Sequence, residues 1–272
     1  MLEFVFSLSN VERKPLMVFL AGVMITIVSF LIASFIMPSE AGWMTIFFIT
    51  ITAVPFFTKM FVQDESIDKH QNKPSFFRRH EFVLKTYTLF FLSIVLGLSM
   101  IYHFAPADVA GNTFGLQTKV INEIRAQATS PGEFWLILAN NAKVSILSFL
   151  LSVIFGAGAI LVLAWNASII AVFIGNISRG LIPLYSSLGP AAIPISYAHG
   201  LPIALFSIFL HGVPEITSYF LSGLAGGIIS VALIREKFGS PEFNRVVNDG
   251  LSLLAVSLAL VAIAAFLESP PF

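Results

Sequence analysis

Cysteine is absent from all 272 residues. Disulfides, thiol catalysis and thiolate metal sites are excluded with it. Charge is scarce too: only 11% of residues are Asp, Glu, Lys or Arg, where a soluble domain carries about a quarter. So little charge cannot cover the surface of a water-soluble fold. The 15 basic and 15 acidic residues cancel, which removes the basic excess expected of a nucleic-acid binder. Catalytic signatures are missing as well: there is no HExxH, no GxSxG and no Walker-type glycine loop. Asp64, Asp68, Asp108 and Asp249 fall in loops or at a span edge, so an intramembrane aspartyl dyad is not available. No internal repeat is visible, and an inverted-repeat transporter architecture gains no support.

What the chain has is apolar length. Hydrophobic residues make up 57% of it, with a mean hydropathy of +0.89. They come in blocks, and about 20 apolar residues in a helix cross ~30 Å of hydrocarbon. The blocks do not alternate as the strands of a β-barrel would. The fold expected is all-α: a polytopic transmembrane helical bundle of about six or seven spans, with broken or re-entrant helices around 167–215. Spans are expected near 16–37, 42–62, 82–104, 139–164, 167–185, 216–234 and 250–267. The first follows Arg13 and Lys14 and is too long for a signal-peptide core, so it reads as a retained span. Pro55 should kink the second. Trp165-Asn166 should form the turn after the fourth, and 199–211, too short to cross at ~18 Å, should be a short element on the outer side; in the rival arrangement 167–178 is re-entrant from inside and 199–212 crosses a thinned bilayer. Asn248 or Asp249 should cap the last.

Lys59, Lys69, Lys73, Arg78, Arg79 and Lys85 surround the stretch between spans two and three, and Arg235, Lys237 and Arg245 follow the sixth. Lysine and arginine bias places both stretches, and the N-terminus, in the cytoplasm of a multi-pass cell-membrane protein. The segment 105–133 is then outside. Leu116, Val120 and Ile124 recur there at helical spacing beside Lys119, Glu123 and Arg125, the pattern of an amphipathic surface helix or a solvated connector. Two regions are expected: 1–134, with three spans, a basic loop and the outer amphipathic segment, and 135–272, a membrane core.

Polar residues inside spans are costly and each asks for a reason. Asn141, Ser145, Ser148 and Ser152 share one helix face, and Gly156 extends it. Such a face is either a small, hydrogen-bonded helix seam or the lining of a polar cavity, with Asn140 and Asn141 at its mouth and Lys143 snorkelling beside them. In His211-Gly212-Val213-Pro214-Glu215, Pro214 suits a first helical turn, where the dipole favours the Glu215 carboxylate. His199 is the available third partner for a His211/Glu215 metal pair, yet the pair alone is a weak signal, since a zinc site takes at least three protein ligands. Gly223 and Gly227 form a GxxxG pair for close packing, within the chain or between chains. Arg179 in an apolar setting is either an interface anchor or a partner for Glu215.

Paired asparagines opening a serine- and glycine-rich span, then Trp165-Asn166-Ala167, then His211-Gly212-Val213-Pro214-Glu215, then the Ser222–Gly227 stretch: in this order the second half, about 130–265, resembles the stage II sporulation protein M family. Members often carry Asn-Gly where this chain has Asn166-Ala167. The resemblance implies a membrane core whose polar heart is Asn140, Asn141, Asn166, His211, Gly212, Pro214 and Glu215. The family's namesake is a membrane partner of peptidoglycan-remodelling proteins during engulfment, and similar proteins occur in non-sporulating bacteria and archaea. The function expected is a non-enzymatic membrane scaffold or partner-recruiting component. A transporter or channel centred on His211/Glu215 is the alternative, and an intramembrane hydrolase ranks last. Expected partners are the lipid bilayer, other membrane or envelope proteins and a second copy of the chain. No catalytic residue, metal, cofactor or nucleic acid is expected.

Overall fold

A computed structural model describes residues 15–68, 80–127 and 133–269. Arg13, Lys14, Lys69, Lys73, Arg78 and Arg79 lie outside these residues, as does the side chain of Arg125. The described elements are α1 (Pro15–Ile36), α2 (Ala41–Asp68), α3 (Glu81–Phe104), α4 (Ala107–Thr113), α5 (Gly115–Gln127), α6 (Glu133–Phe155), α7 (Ala159–Gly180), α8 (Ala192–Arg235) and α9 (Pro241–Glu268), with short 3-10 segments at Pro38–Glu40 and Ile182–Ala191. Among the described residues seven helices are long and apolar enough to cross a membrane: α1, α2, α3, α6, α7, α8 with its preceding 3-10 segment, and α9. The fold is the expected polytopic helical bundle.

Contacts fix the directions. Gly22 of α1 abuts Ser93 of α3, and Thr26 abuts Gly97 one turn on, so α1 and α3 are parallel. Tyr87 and Ala159 meet at Gly223, while Tyr102 and Gly175 meet near the other end, so α7 runs with α3. Ser145 meets Ser222, and Ser152 meets Gly226, so α6 and α8 are parallel in the opposite sense. Lys59, Lys85, Arg235, Lys237 and Arg245 thereby share one end of the bundle, the basic end. Glu133, Arg179 and Glu268 mark the far end.

The turn between the fourth and fifth spans is not at Trp165-Asn166. It is at Gly156–Gly158, because Gly156 takes φ +71°, a left-handed conformation that costs glycine little. Ser152 Oγ accepts the Ala159 N–H at 3.0 Å and caps the start of α7. This turn is itself apolar, so hydropathy runs through it. Trp165 instead sits inside α7 with its ring edge-on to Trp43, 5.2 Å between centroids. Gly156 belongs to the turn rather than to the serine face.

Nor does a helix begin at Pro214. α8 is 44 residues long with Pro202 and Pro214 inside it. Proline removes one backbone bond, and neighbouring helices make that tolerable in lipid. A helix of that length spans about 66 Å, twice the ~30 Å hydrocarbon core. Its first half meets two helices near their far ends: Tyr197 bonds Ser99 of α3, and Gly200 abuts Ser178 of α7. The stretch 192–213 therefore slants across the far end, and 214–235 descends. The separate element expected at 199–211 is part of this one helix.

α9 starts earlier than expected. Ser240 is its N-cap, accepting the Phe243 N–H at 3.1 Å, with Pro241 following. Its first turns are polar and escape hydropathy, which led to Asn248 and Asp249. The amphipathic helix at 115–127 is present, with Phe114, Gln117 and Ile121 buried against the bundle while Leu116 and Ile124 stay exposed.

Packing follows two patterns. Near α2, α3 and α8, Phe57 stacks on Tyr87 at 4.8 Å and Tyr87 on Phe220 at 5.8 Å. Around α8, glycines remove the space between helices. A Cβ on Gly226 would lie 2.3 Å from Phe149 O, one on Gly227 2.7 Å from the Phe61 ring, and one on Gly223 2.7 Å from Ala159 Cβ. The GxxxG pair is thus used within the chain.

Candidate functional site

Three parallel or antiparallel helices, α6, α8 and α9, enclose a seam of hydroxyls. Ser145 and Ser257 lie 2.8 Å apart, Ser222 and Ser257 2.7 Å, and Ser222 donates to Ser145 at 3.1 Å. Ser257 also donates to Ser218 O at 2.9 Å, and Ser218 donates to Glu215 O at 2.6 Å. Ser145, Ser218, Ser222 and Ser257 are fully buried. Ser145, Ser222 and Ser257 thus find partners on neighbouring helices, and Ser218 gives its proton to its own helix backbone, so all four are satisfied as buried polar groups must be. Ser148 is buried in the same face without a hydrogen-bond partner among the described residues, and Ser152 caps α7.

Towards the far end the seam gives way to charge. Glu215 Oε1 accepts the Tyr219 hydroxyl at 2.9 Å, the two being one helical turn apart. Glu268, at the end of α9, acts electrostatically on Glu215 and is itself acted on by His211 and Glu133. Asn141, one turn above Ser145 on α6, is buried. Asn140 is exposed and donates to Asn141 Oδ1 at 3.4 Å. Gly212 and Pro214 are half-buried turns of α8.

Not every expected residue joins this group. Asn166 donates to Val162 O at 2.8 Å within its own helix. His199 is twelve residues from His211 on the same helix, about 18 Å, and pairs with the Tyr185 hydroxyl at 2.5 Å. Among the described residues no three His, Cys, Asp or Glu side chains are grouped to hold a metal ion. Arg179 does not pair with Glu215. Its Nε donates to Tyr102 O at 3.1 Å, and Nη2 donates to Tyr102 O at 2.5 Å and to Ala105 O. These are the last carbonyls of α3, which a helix leaves without partners and a cation complements.

Composition and spacing pass over several members. Tyr219, Glu133, Glu268 and Ser257 reach the seam and its mouth from the turns beside the motif or from other helices. Ser257 has a sequence signal: Gly250, Ser257 and Ala264 recur every seven residues and are all buried on α9. His103 is a further buried polar group. Its Nε2 donates to Ile193 O at 2.9 Å, and Ser196 Oγ lies 3.4 Å from it. A nitrogen whose proton is given to a carbonyl has no lone pair for the Ser196 hydroxyl, so this contact is not a nucleophile–base pair.

Residues 86–270 match the profile of a family described as Stage II sporulation protein M. The match begins inside α3 and includes the hydroxyl seam, the Gly156–Gly158 turn and the far-end charges. An uncharacterized protein of Methanocaldococcus jannaschii is 32% identical over 135 residues, which are 48% of this chain and 66% of that protein. No solved structure matches the chain.

Proposed function

The chain belongs to the stage II sporulation protein M family, and from that premise we propose that it is a non-enzymatic membrane scaffold. It holds or recruits other membrane or envelope proteins in the cell membrane, with its basic end and N-terminus in the cytoplasm. The observation that carries this reading is the closure of the hydroxyl seam. Ser145, Ser218, Ser222 and Ser257 bond one another or the backbone, and groups that satisfy each other hold helices together without forming a water path. The far end also offers a surface. Residues 181–210 carry no Asp, Glu, Lys or Arg, and Phe206, Phe209 and Leu210 project from α8 with Phe206 85% exposed.

Site-directed photo-crosslinking in intact cells tests this. A photoreactive residue at Phe206 or Leu210 is expected to yield discrete protein adducts, while one at Leu31, on the exposed face of α1, yields none. No adduct at either far-end position argues against recruitment by this surface. A second reading, a transporter or channel, is favoured by one observation: the Glu215 carboxylate just beyond the seam, which accepts the Tyr219 hydroxyl at 2.9 Å. Flux in proteoliposomes decides it. No flux in the native protein removes that reading, and flux unchanged by Glu215→Gln removes this site from the pathway.

A further inference from the structure

At the basic end, the tight turn between α6 and α7 leaves a notch of about 240 Å³ between α2, the end of α6 and the last turns of α8. Thr58, Phe155, Gly156, Ser230, Ile234 and Arg235 are among its walls. The bare face of Gly156 is flanked by two hydroxyls: a Cβ there would lie 3.4 Å from Thr58 Oγ1 and 4.0 Å from Ser230 Oγ.

These hydroxyls behave unlike their neighbours. On α2, Thr50 and Thr52 return theirs to Ile46 O and Phe48 O, and on α8, Thr217 and Ser218 do the same to Val213 O and Glu215 O. Thr58 and Ser230 make no such bond among the described residues, although Ser230 is only 5% exposed. Thr58 is half-buried and both side chains line the notch, so their hydroxyls are placed to donate to a ligand seated in it. The rim adds charge from Arg235, with exposed Lys59 beside Thr58 and Lys237 just beyond. The walls add apolar surface that continues onto the lipid-facing flank, where Phe155 is 62% and Ile234 82% exposed. The notch falls below the ~300–1,000 Å³ of clefts that enclose a whole small molecule, so it seats part of a larger one. An amphiphile with an anionic head fits this set, because basic pockets between helix ends at the membrane boundary hold such heads.

We propose that this notch seats an anionic phospholipid of the adjacent leaflet, with its phosphate at Arg235, its ester or glycerol oxygens accepting from Thr58 and Ser230, and an acyl chain along Phe155 and Ile234. The test is native mass spectrometry of the full chain from nanodiscs holding equal phosphatidylglycerol and phosphatidylcholine of matched chains. The native protein retains phosphatidylglycerol in roughly fivefold preference, the equivalent of about 1 kcal/mol per basic residue at such a surface. Arg235→Gln brings the ratio near one. Ser230→Leu, which fills the notch and leaves the charge in place, lowers retention of both lipids. Lys143→Gln, halfway along α6 and about 18 Å from its notch end, changes neither. Equal retention of the two lipids by the native protein, or native retention in both Arg235→Gln and Ser230→Leu, overturns the proposal. So does inorganic phosphate, added to phosphatidylcholine nanodiscs, raising thermal stability as much as phosphatidylglycerol does, since the seat would then be for a free anion.

Discussion

The two sides of the bundle meet the same difficulty with different side chains. Lipid tails are as apolar as leucine, so helices in a bilayer gain little from burying apolar surface against each other. On the α6–α8–α9 side, small residues bring backbones together and hydroxyls bond across the gap: Ser145, Ser222 and Ser257 from three helices form one network. On the side of α2 and α3, large rings fill the space, with Phe57, Tyr87 and Phe220 stacked in succession. Hydroxyl bonds are directional and set register, whereas stacked rings supply contact area and tolerate sliding. The side with the directional bonds is the one that carries the far-end charges, where positions must be held.

The largest effect is expected where backbones touch. Gly226→Val places a Cβ 2.3 Å from Phe149 O and 2.7 Å from Ser152 Cβ, and should cost about 3 kcal/mol or more, the upper part of the overpacking range. Gly111, with nothing within 4 Å of a built Cβ, should accept valine within about 0.5 kcal/mol. Unfolding of the purified protein in detergent measures both. If Gly226→Val unfolds like the native chain, close packing does not hold the small-residue side. Next comes Phe57→Ala on the aromatic side. Phe57 is fully buried, and the same cut in a water-soluble core costs about 3–5 kcal/mol. Here the reference state is solvated by lipid, so the loss should be about 2 kcal/mol, all of it packing. A loss as large as in water would erase the distinction from a soluble core. The smallest effect belongs to Ser257→Ala, at about 0.6 kcal/mol and no more than ~1.7. Ser145→Ala and the double variant should be non-additive, because the two hydroxyls bond each other. Strict additivity would separate them into independent contacts.

Much of this was legible in the chain. Span number, the serine face and the amphipathic helix follow from period and hydropathy, since a single helix is a local object. The Gly156–Gly158 turn was not, because it is as apolar as the spans it joins; only the positive φ of Gly156 marks it. The proline in His211–Glu215 suggested a helix start, yet packing carried α8 through it. The partners of the polar residues were the least legible. Ser257 for Ser145 depends on how helices are set side by side, and Tyr219 for Glu215 needs the helix to run unbroken past Pro214. Arg179 binds backbone carbonyls of α3, a target that no side-chain pattern encodes.

The central claim is that the hydroxyl seam is closed to water. Because the chain has no cysteine of its own, single cysteine substitutions report without background. Ser145→Cys and Glu133→Cys, in sealed membranes treated from either side with a membrane-impermeant thiol reagent, compare the seam with its mouth. The account predicts that Glu133→Cys is labelled while Ser145→Cys stays unreacted from both sides; labelling of the two at similar rates would contradict it.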